Sequence, residues 1–316
     1  MKRSISLVDY ASSDESDTNS AKEANDAPES GSQATQSASK KLKKLPPLPG
    51  YLAPQAPVDN PALHQGRRRT TPHVEGQFAA YVYIPLFVER QSKLYRLLLR
   101  IFQAARKLVP ILHPIGISQA DLAPHTRELS PPEQDPFELH ISLTRPVYLR
   151  AHQRADFKRA VHDAAKAKRR FSASFATISD LTNDEKTRTF LALEVGAGHD
   201  DFKELSERLT PTLRSIRQKE FYQDPRFHAS IAWALLDGTA RAVSQQVQGP
   251  EQGRDRPSTT ERLEDFPTIP GFPPSLIPQL RAEFSQQVVD PSVGRFEAEE
   301  VHVRIGKEIS KWRLQD

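Results

Sequence analysis

The sequence predicts an α+β fold, with helices packed on antiparallel sheet and the chain arranged as two halves of similar build. Two observations carry that expectation. Strand-like and helix-like stretches follow one another in the order β-α-β-α-β-β-α-β-β-β, and two of the strands bear the same polar pattern, His-x-Ser, at His140/Ser142 and His228/Ser230. The two copies stand about one strand-helix-strand unit apart, so each half would deliver one copy to a central cleft.

Taken in chain order, residues 1–65 are rich in Ser, Ala, Asp, Glu and Pro and show no helical or alternating apolar pattern. They are expected to be a disordered tail ahead of a single domain over 66–316. Within the tail, Lys40, Lys41, Lys43 and Lys44 read as a nuclear-import signal, and Arg67, Arg68 and Arg69 just beyond it as a phosphate-contacting patch. Solvated basic runs are the plain alternative for both. "FAAYVYIPL" (78–86) predicts a strand, and "SKLYRLLLRIFQAARKLV" a helix with Leu94, Leu97, Leu98, Ile101, Ala105 and Leu108 on one stripe. "FELHISLTRPVYL" predicts the next strand and "ADFKRAVHDAAKAKRR" the next helix, followed by "FSASFATISDL" and "TRTFLALEV" as an antiparallel pair. "DFKELSERLTPTLRSIR" is helical, with a break or kink expected at Pro211. After the strand "FHASIAWAL", residues 240–275 read as a loop insertion full of Gln, Pro, Gly and mixed charge, and "FEAEEVHVRIG" and "ISKWRL" close the sheet.

Composition narrows the function classes. With 26 prolines among 316 residues, 37% hydrophobic residues and a mean hydropathy of -0.60, much of the chain cannot offset its ordering entropy by burial. The absence of cysteine excludes disulfides, thiolate zinc sites and thiol nucleophiles. The start "MKRSISLVDYASSDESD" turns acidic where a signal peptide needs an apolar core, and no apolar run has the length of about 18 residues that spans a bilayer, so a soluble intracellular protein without membrane contact is expected. A net charge of +4 is compatible with a polyanionic partner.

Side chains alternate along a strand, so in "FELHISLTRP" Leu139, Ile141 and Leu143 can face a core while His140, Ser142 and Thr144 share the other face. In "RFHASIAW", His228 and Ser230 repeat that arrangement, with Phe227, Ala229, Ile231 and Trp233 opposite. A lone copy would be an ordinary hydrogen-bonded core histidine; a duplicated one asks for chemistry. Two histidines can act as base and acid in one step near neutrality, and adjacent hydroxyls can donate to non-bridging phosphate oxygens. Splitting a phosphodiester beside a ribose 2′-hydroxyl needs that set and no metal. The metalloprotease pattern H-E-x-x-H and the nucleophile elbow G-x-S-x-G are both missing. His152 and His162 read as helix-surface residues.

These residues carry a family resemblance. The paired "HIS" and "HAS" resemble the two-histidine (2H) phosphoesterase superfamily, and "GRRRTTPHVEGQFAAYVYIPL", "ELHISLTRPVYLR" and "FYQDPRFHASIAW" resemble its U6 snRNA phosphodiesterase family over about residues 66–238 and 282–314. Phe78 departs from the family's usual Trp. The resemblance implies a two-lobed, pseudo-symmetric fold of antiparallel sheets flanked by helices around a central cleft. It implies a nuclear, cofactor-free 3′-to-5′ exoribonuclease, expected to be a monomer, that trims the 3′ oligo(U) end of U6 snRNA and leaves a 2′,3′-cyclic phosphate or a 3′-phosphate. By matching position, His140 and His228 would be catalytic, Ser142 and Ser230 would hold phosphate, and Tyr222 would stack on a base. Two alternatives stay open: a cyclic phosphodiesterase acting on small substrates, and a non-catalytic RNA-binding protein.

Overall fold

The computed structural model describes residues 61–67, 74–117, 119–122, 136–237 and 266–316. Most of the expected tail and insertion, with Lys40 to Lys44, Arg68 and Arg69, lies outside the described residues. Described structure reaches into the last residues of both expected segments, at 61–65 and 266–275. Pro61–His64 forms a 3-10 turn, and Ile269 exchanges backbone hydrogen bonds with Leu235 and Asp237 at the end of a strand. The two edges pack together, since a Cβ on Gly66 would lie 2.5 Å from the Phe266 ring.

The described elements are β1 (Gln77–Val88), α1 (Lys93–Leu108), β2 (His113–Pro114), α2 (Gln119–Leu122), β3 (Phe137–Ser142), β4 (Val147–Arg150), α3 (Arg154–Lys166), β5 (Phe171–Thr182), β6 (Arg188–Val195), α4 (His199–Ser215), β7 (His228–Leu235), α5 (Leu276–Val289), α6 (Pro291–Gly294), β8 (Arg295–Ala298), β9 (Glu300–Ile305) and β10 (Glu308–Arg313). The fold is α+β, and its strands join one sheet in the order β10-β9-β1-β3-β7-β6-β5-β8, with every described strand pair antiparallel. The two lobes meet at β3 and β7, which share one ladder pair, Ile141 with Ala229. Helices α3 and α4 pair and α3 lies against β9 and β10, while α1 and α5 pair and lie against β7 and β5. None of the described helices is long and apolar enough to cross a membrane.

Local chemistry explains the elements that the pattern anticipated. Ser92 caps α1 by accepting from the Tyr95 amide at 3.0 Å, and Arg106 and Lys107 in its last turn oppose the negative end of the helix dipole. Its buried stripe runs through Tyr95, Leu98, Ile101, Phe102 and Ala105, whereas Leu108 is exposed. Pro211 does not break α4, because Leu209 and Leu213 on either side are buried and hold the helix in place against the cost of about 3 kcal/mol that an interior proline carries. Helix α5 was not anticipated. Its buried residues Leu276, Leu280, Phe284 and Val288 recur at every fourth position, a sparse stripe, and Pro278 is tolerated in its first turn.

The stretch expected as one strand from Phe137 divides into β3 and β4, both pairing with β1. Thr144 lies in the bend between them and does not share the face of His140 and Ser142. It is 2% exposed, and its Oγ1 accepts the Val82 amide at 3.0 Å. Thr144→Val leaves that buried amide unpaired and is expected to lower unfolding stability by about 1–3 kcal/mol in urea titration; an unchanged midpoint would show that the bond is dispensable.

Candidate active site

The polar face of the lobe junction follows from strand register. Continuing the antiparallel register from Ile141 and Ala229 sets His140 opposite Ser230 and Ser142 opposite His228. Each histidine therefore faces the serine of the other lobe. The histidines themselves are diagonal neighbours, a relation that places backbones about 7–8 Å apart and leaves room for a phosphate between the rings. The rows continue across the sheet: His302, Tyr83 and Ser142 on one side of the junction align with His228, Glu194 and Thr177 on the other. Pro85 and His140 likewise align with Ser230, Ala192 and Ser179.

Hydrogen bonding separates available groups from structural ones. Among the described residues, the hydroxyls of Ser142 and Ser230 have no hydrogen-bond partner, and both side chains are half-buried. The His228 Nδ1 lies 2.6 Å from the Arg226 carbonyl, which can only accept, so Nδ1 carries the proton and a neutral His228 presents its lone pair at Nε2. His140 has no hydrogen bond and rests against the rings of Tyr81 and Tyr83, at 5.9 and 5.6 Å between centroids.

Electrostatics depress both imidazoles. Crowding by the surrounding protein, then the positive field of His228, pulls the His140 pKa down, while Glu138 on the same strand face pulls it up. For His228, burial again dominates and lowers the pKa, opposed by the Arg226 carbonyl and by Glu194 directly across the ladder. Burial and the nearby Glu138 push the Tyr83 hydroxyl far above the ordinary tyrosine value, so it stays neutral. Glu194 is ion-paired with Arg226.

Tyr222 stands in the loop between α4 and β7, 43% exposed, and no hydrogen bond or ring contact ties it to either histidine. The Arg145 guanidinium lies 3.9 Å from its ring centroid, its hydroxyl donates to Asp184 at 2.9 Å, and Arg145 pairs with the same carboxylate at 2.6 Å. Its ring also lines a cavity of about 390 Å³ with Phe221, Gln223 and Pro225. His199 holds this loop through the Pro225 carbonyl at 2.9 Å. His152 is exposed and His162 bonds its neighbour Asp163, as surface residues do.

Several neighbours of the pair escaped the sequence reading. Tyr81 and Tyr83 were visible as an alternation in "YVYIP", whereas Glu194, Arg226 and the fully buried His302, 2.9 Å from Glu300, are brought in by register alone.

A family model described as HVSL, an uncharacterised conserved protein, matches residues 48–313. U6 snRNA phosphodiesterase 1 of Mus musculus is 31% identical over 66% of this chain and 70% of its own length. The chain belongs to the U6 snRNA phosphodiesterase family. The Bos taurus relative is 32% identical over 62% of this chain and 63% of its own length. Among solved structures, Kluyveromyces marxianus Usb1 with uridine monophosphate aligns over 74% of this chain and 98% of its own, with 12% identity and a TM-score of 0.47. Phe78, the departure from the family pattern, carries Arg154 over its ring at 4.6 Å, a local packing role.

Acid–base work by these two depressed histidines would carry a pH signature. A base must be neutral and an acid protonated, so the product of the two fractions peaks between the pair's apparent pKa values, below the ordinary histidine value of about 6.5. The kcat/KM for an RNA substrate is expected to be bell-shaped with its maximum on the acid side of 6.5; a maximum above neutrality would contradict this electrostatic account.

Proposed function

We propose that this chain is a 3′-to-5′ exoribonuclease of the nucleus that trims oligo(U) ends such as that of U6 snRNA, acting as a monomer without cofactor or metal. The observation that carries this reading is the crossed register at the lobe junction, which gives two histidines and two unpartnered hydroxyls one shared face. The names of the relatives supply the substrate.

The chemistry balances with those groups alone. One neutral histidine takes the proton of the penultimate 2′-hydroxyl as its oxygen bonds to phosphorus, and the other, protonated, gives a proton to the departing 5′-oxygen as the P–O5′ bond breaks. The terminal nucleoside leaves with a 5′-hydroxyl, and the retained chain ends in a 2′,3′-cyclic phosphate. With the two roles exchanged, one histidine takes a proton from water as its oxygen bonds to phosphorus and the other protonates O2′ as the P–O2′ bond breaks, giving a 3′-phosphate and a free 2′-hydroxyl. Ser142 and Ser230, unpaired within the protein, can donate to the non-bridging oxygens where charge develops. Tyr222 offers a sequence-tolerant stacking surface for the terminal base, with Arg145 and Asp184 fixing its ring.

Incubating the protein in EDTA with oligo(U) and, separately, with a small 2′,3′-cyclic nucleotide separates this reading from the alternatives. Oligo(U) should shorten from its 3′ end; turnover that needs added Mg²⁺ or Mn²⁺, or that is confined to the cyclic nucleotide, would replace it. His140→Ala and His228→Ala are each expected to lose about 10²–10⁴-fold in kcat, with a double variant no worse than the poorer single one because the pair acts as a unit. Multiplicative losses would refute that cooperation.

Stacking on one base is worth about 1–3 kcal/mol by alanine substitution, so Tyr222→Ala should lower kcat/KM on oligo(U) by roughly ten- to a hundredfold, whereas Tyr222→Phe, keeping the ring, should stay within a few-fold. Equal damage in both variants, with unchanged thermal melts, would point to the Asp184 hydrogen bond instead of the ring.

A further inference from the structure

We infer that the open face beyond Ser230 carries a second binding subsite, formed by Arg67 and Arg188 beside Trp233 and His113, that takes a backbone phosphate of single-stranded RNA from the retained 5′ part of the substrate. The inference rests on the exonuclease reading given above.

Strand alternation alone would bury Trp233 with Ala229 and Ile231. The β6–β7 ladder has a bulge there. Ala192 pairs with Ser230 and Leu191 with Ala232, so Ile231 is the extra residue, and Phe190 then pairs with Trp233. Phe190, Ala192 and Glu194 share one face of β6, so the bulge turns Trp233 onto the face of Ser230 and His228. Arg188 lies on that same face at the start of β6, in register with Leu235.

These residues form a cluster. His113 pairs with Trp233 across β2 and β7, and their rings stack with centroids 4.5 Å apart and 21° between planes. The Arg67 guanidinium lies 5.4 Å from the same indole, held by an Nε hydrogen bond to the His64 carbonyl at 3.0 Å. Arg188 lies 5.5 Å from the Phe190 ring. With Trp233 only 5% exposed, the indole is a platform already covered; the outward-facing groups are the guanidinium of the exposed Arg67 and the half-buried side chains of Arg188 and His113.

The charges in this cluster are unbalanced. Arg145, Arg154, Arg208, Arg214 and Arg226 each hold a carboxylate. Among the described residues, neither Arg67 nor Arg188 has a carboxylate within ion-pair distance. Burial and the field of Arg67 both act against the Arg188 charge, with Glu185 offsetting part of it. Burial, Arg67 and Arg106 act in the same sense on His113. Gathering like charges without a counter-ion is costly, and an anion between them removes that cost; guanidinium forks match phosphate in charge and geometry.

Position identifies which phosphate. At about 3.3 Å per residue, Trp233 lies roughly 10 Å along β7 from Ser230, and Leu235, the partner of Arg188, roughly 17 Å. On the 3′ side of the scissile bond a 3′ exonuclease holds a single nucleoside, too short for this distance. The retained 5′ chain is the part of the substrate that extends so far.

The test compares kcat/KM for an oligo(U) of about ten nucleotides with that for the dinucleotide UpU in Arg67→Gln, Arg188→Gln and the double variant. The oligo(U)-to-UpU ratio is expected to fall about tenfold in the double variant, and the log–log salt dependence for oligo(U) to flatten by about one unit for each phosphate that is no longer neutralised. An unchanged ratio and slope, or a parallel loss on both substrates with an unchanged thermal melt, would overturn the subsite. Arg67→Gln alters an exposed side chain and keeps the test usable should Arg188→Gln fail to fold. Anisotropy binding of a 2′-O-methyl oligo(U), which cannot cyclise, separates the two inferences: a tenfold weaker double variant supports the subsite whatever the turnover, and equal binding refutes it. Wild-type protein that binds this oligomer yet cleaves no RNA would instead refute the exonuclease reading.

Discussion

The pairing of Ile141 with Ala229 is the contact on which the site depends. Both side chains are fully buried, and they share the one ladder pair between β3 and β7. Because strand side chains alternate, fixing this pair on the buried face fixes His140, Ser142, His228 and Ser230 on the other. A slip of one residue would carry the histidines into the core and Leu139, Ile141 and Leu143 to solvent. The seam is therefore held by apolar burial behind it, with Leu139, Leu143, Phe227 and Ile231 all buried, and by the Ser206 hydroxyl donating to the Leu143 carbonyl at 2.8 Å. The placement of the candidate site and the packing of the core are two faces of the same register.

The pseudo-symmetry of the seam does not make the two histidines equivalent. Each has one carboxylate nearby, but Glu138 lies two residues before His140 on its own strand, whereas Glu194 faces His228 from the neighbouring strand. Glu194 is ion-paired with Arg226 and Glu138 makes no hydrogen bond to His140, so both carboxylates act on the imidazoles through their fields and not as direct ligands. A further difference is tautomeric. The Arg226 carbonyl commits the proton of neutral His228 to Nδ1, while nothing in the described protein commits His140. Two copies of one motif can thus divide acid and base roles according to their surroundings.

What was legible in the sequence was local. Period-two alternation and a duplicated His-x-Ser are properties of short stretches, and the strands and helices they announced are present, as are the paired histidines on one face. The failures share a non-local cause. Thr144 leaves the polar face because the chain bends between β3 and β4 and the Val82 amide of another strand claims its hydroxyl. Trp233 changes faces because β6 skips one residue of β7, which alternation within β7 cannot reveal. Helix α5 was overlooked since its stripe has one buried residue per turn and begins beside a proline in a Pro-rich stretch. Family resemblance, not periodicity, is the source of the Tyr222 expectation, and it gives no account of Arg145, which follows β3, and Asp184, between β5 and β6, which meet that ring only in the fold.

Arginine is used in two opposite ways on this molecule, and the difference bears on how RNA would be read. Beside Tyr222, Arg145 is neutralised by Asp184 at 2.6 Å, so ring, guanidinium and carboxylate form a stack with little net charge. Such a surface offers dispersion and π contact to any base and little attraction to backbone phosphate. In the Trp233 cluster, Arg67 and Arg188 keep their charge uncompensated at close range, and the indole that Arg67 stands against is covered. That surface attracts phosphate and offers no ring for a base. On the proposed function, base contact would then be confined to the nucleoside being removed, while the chain that remains would be held by its backbone. An enzyme that shortens one strand step by step needs this separation, because each cut presents a new terminal base to the first surface while the second must accept whatever sequence follows.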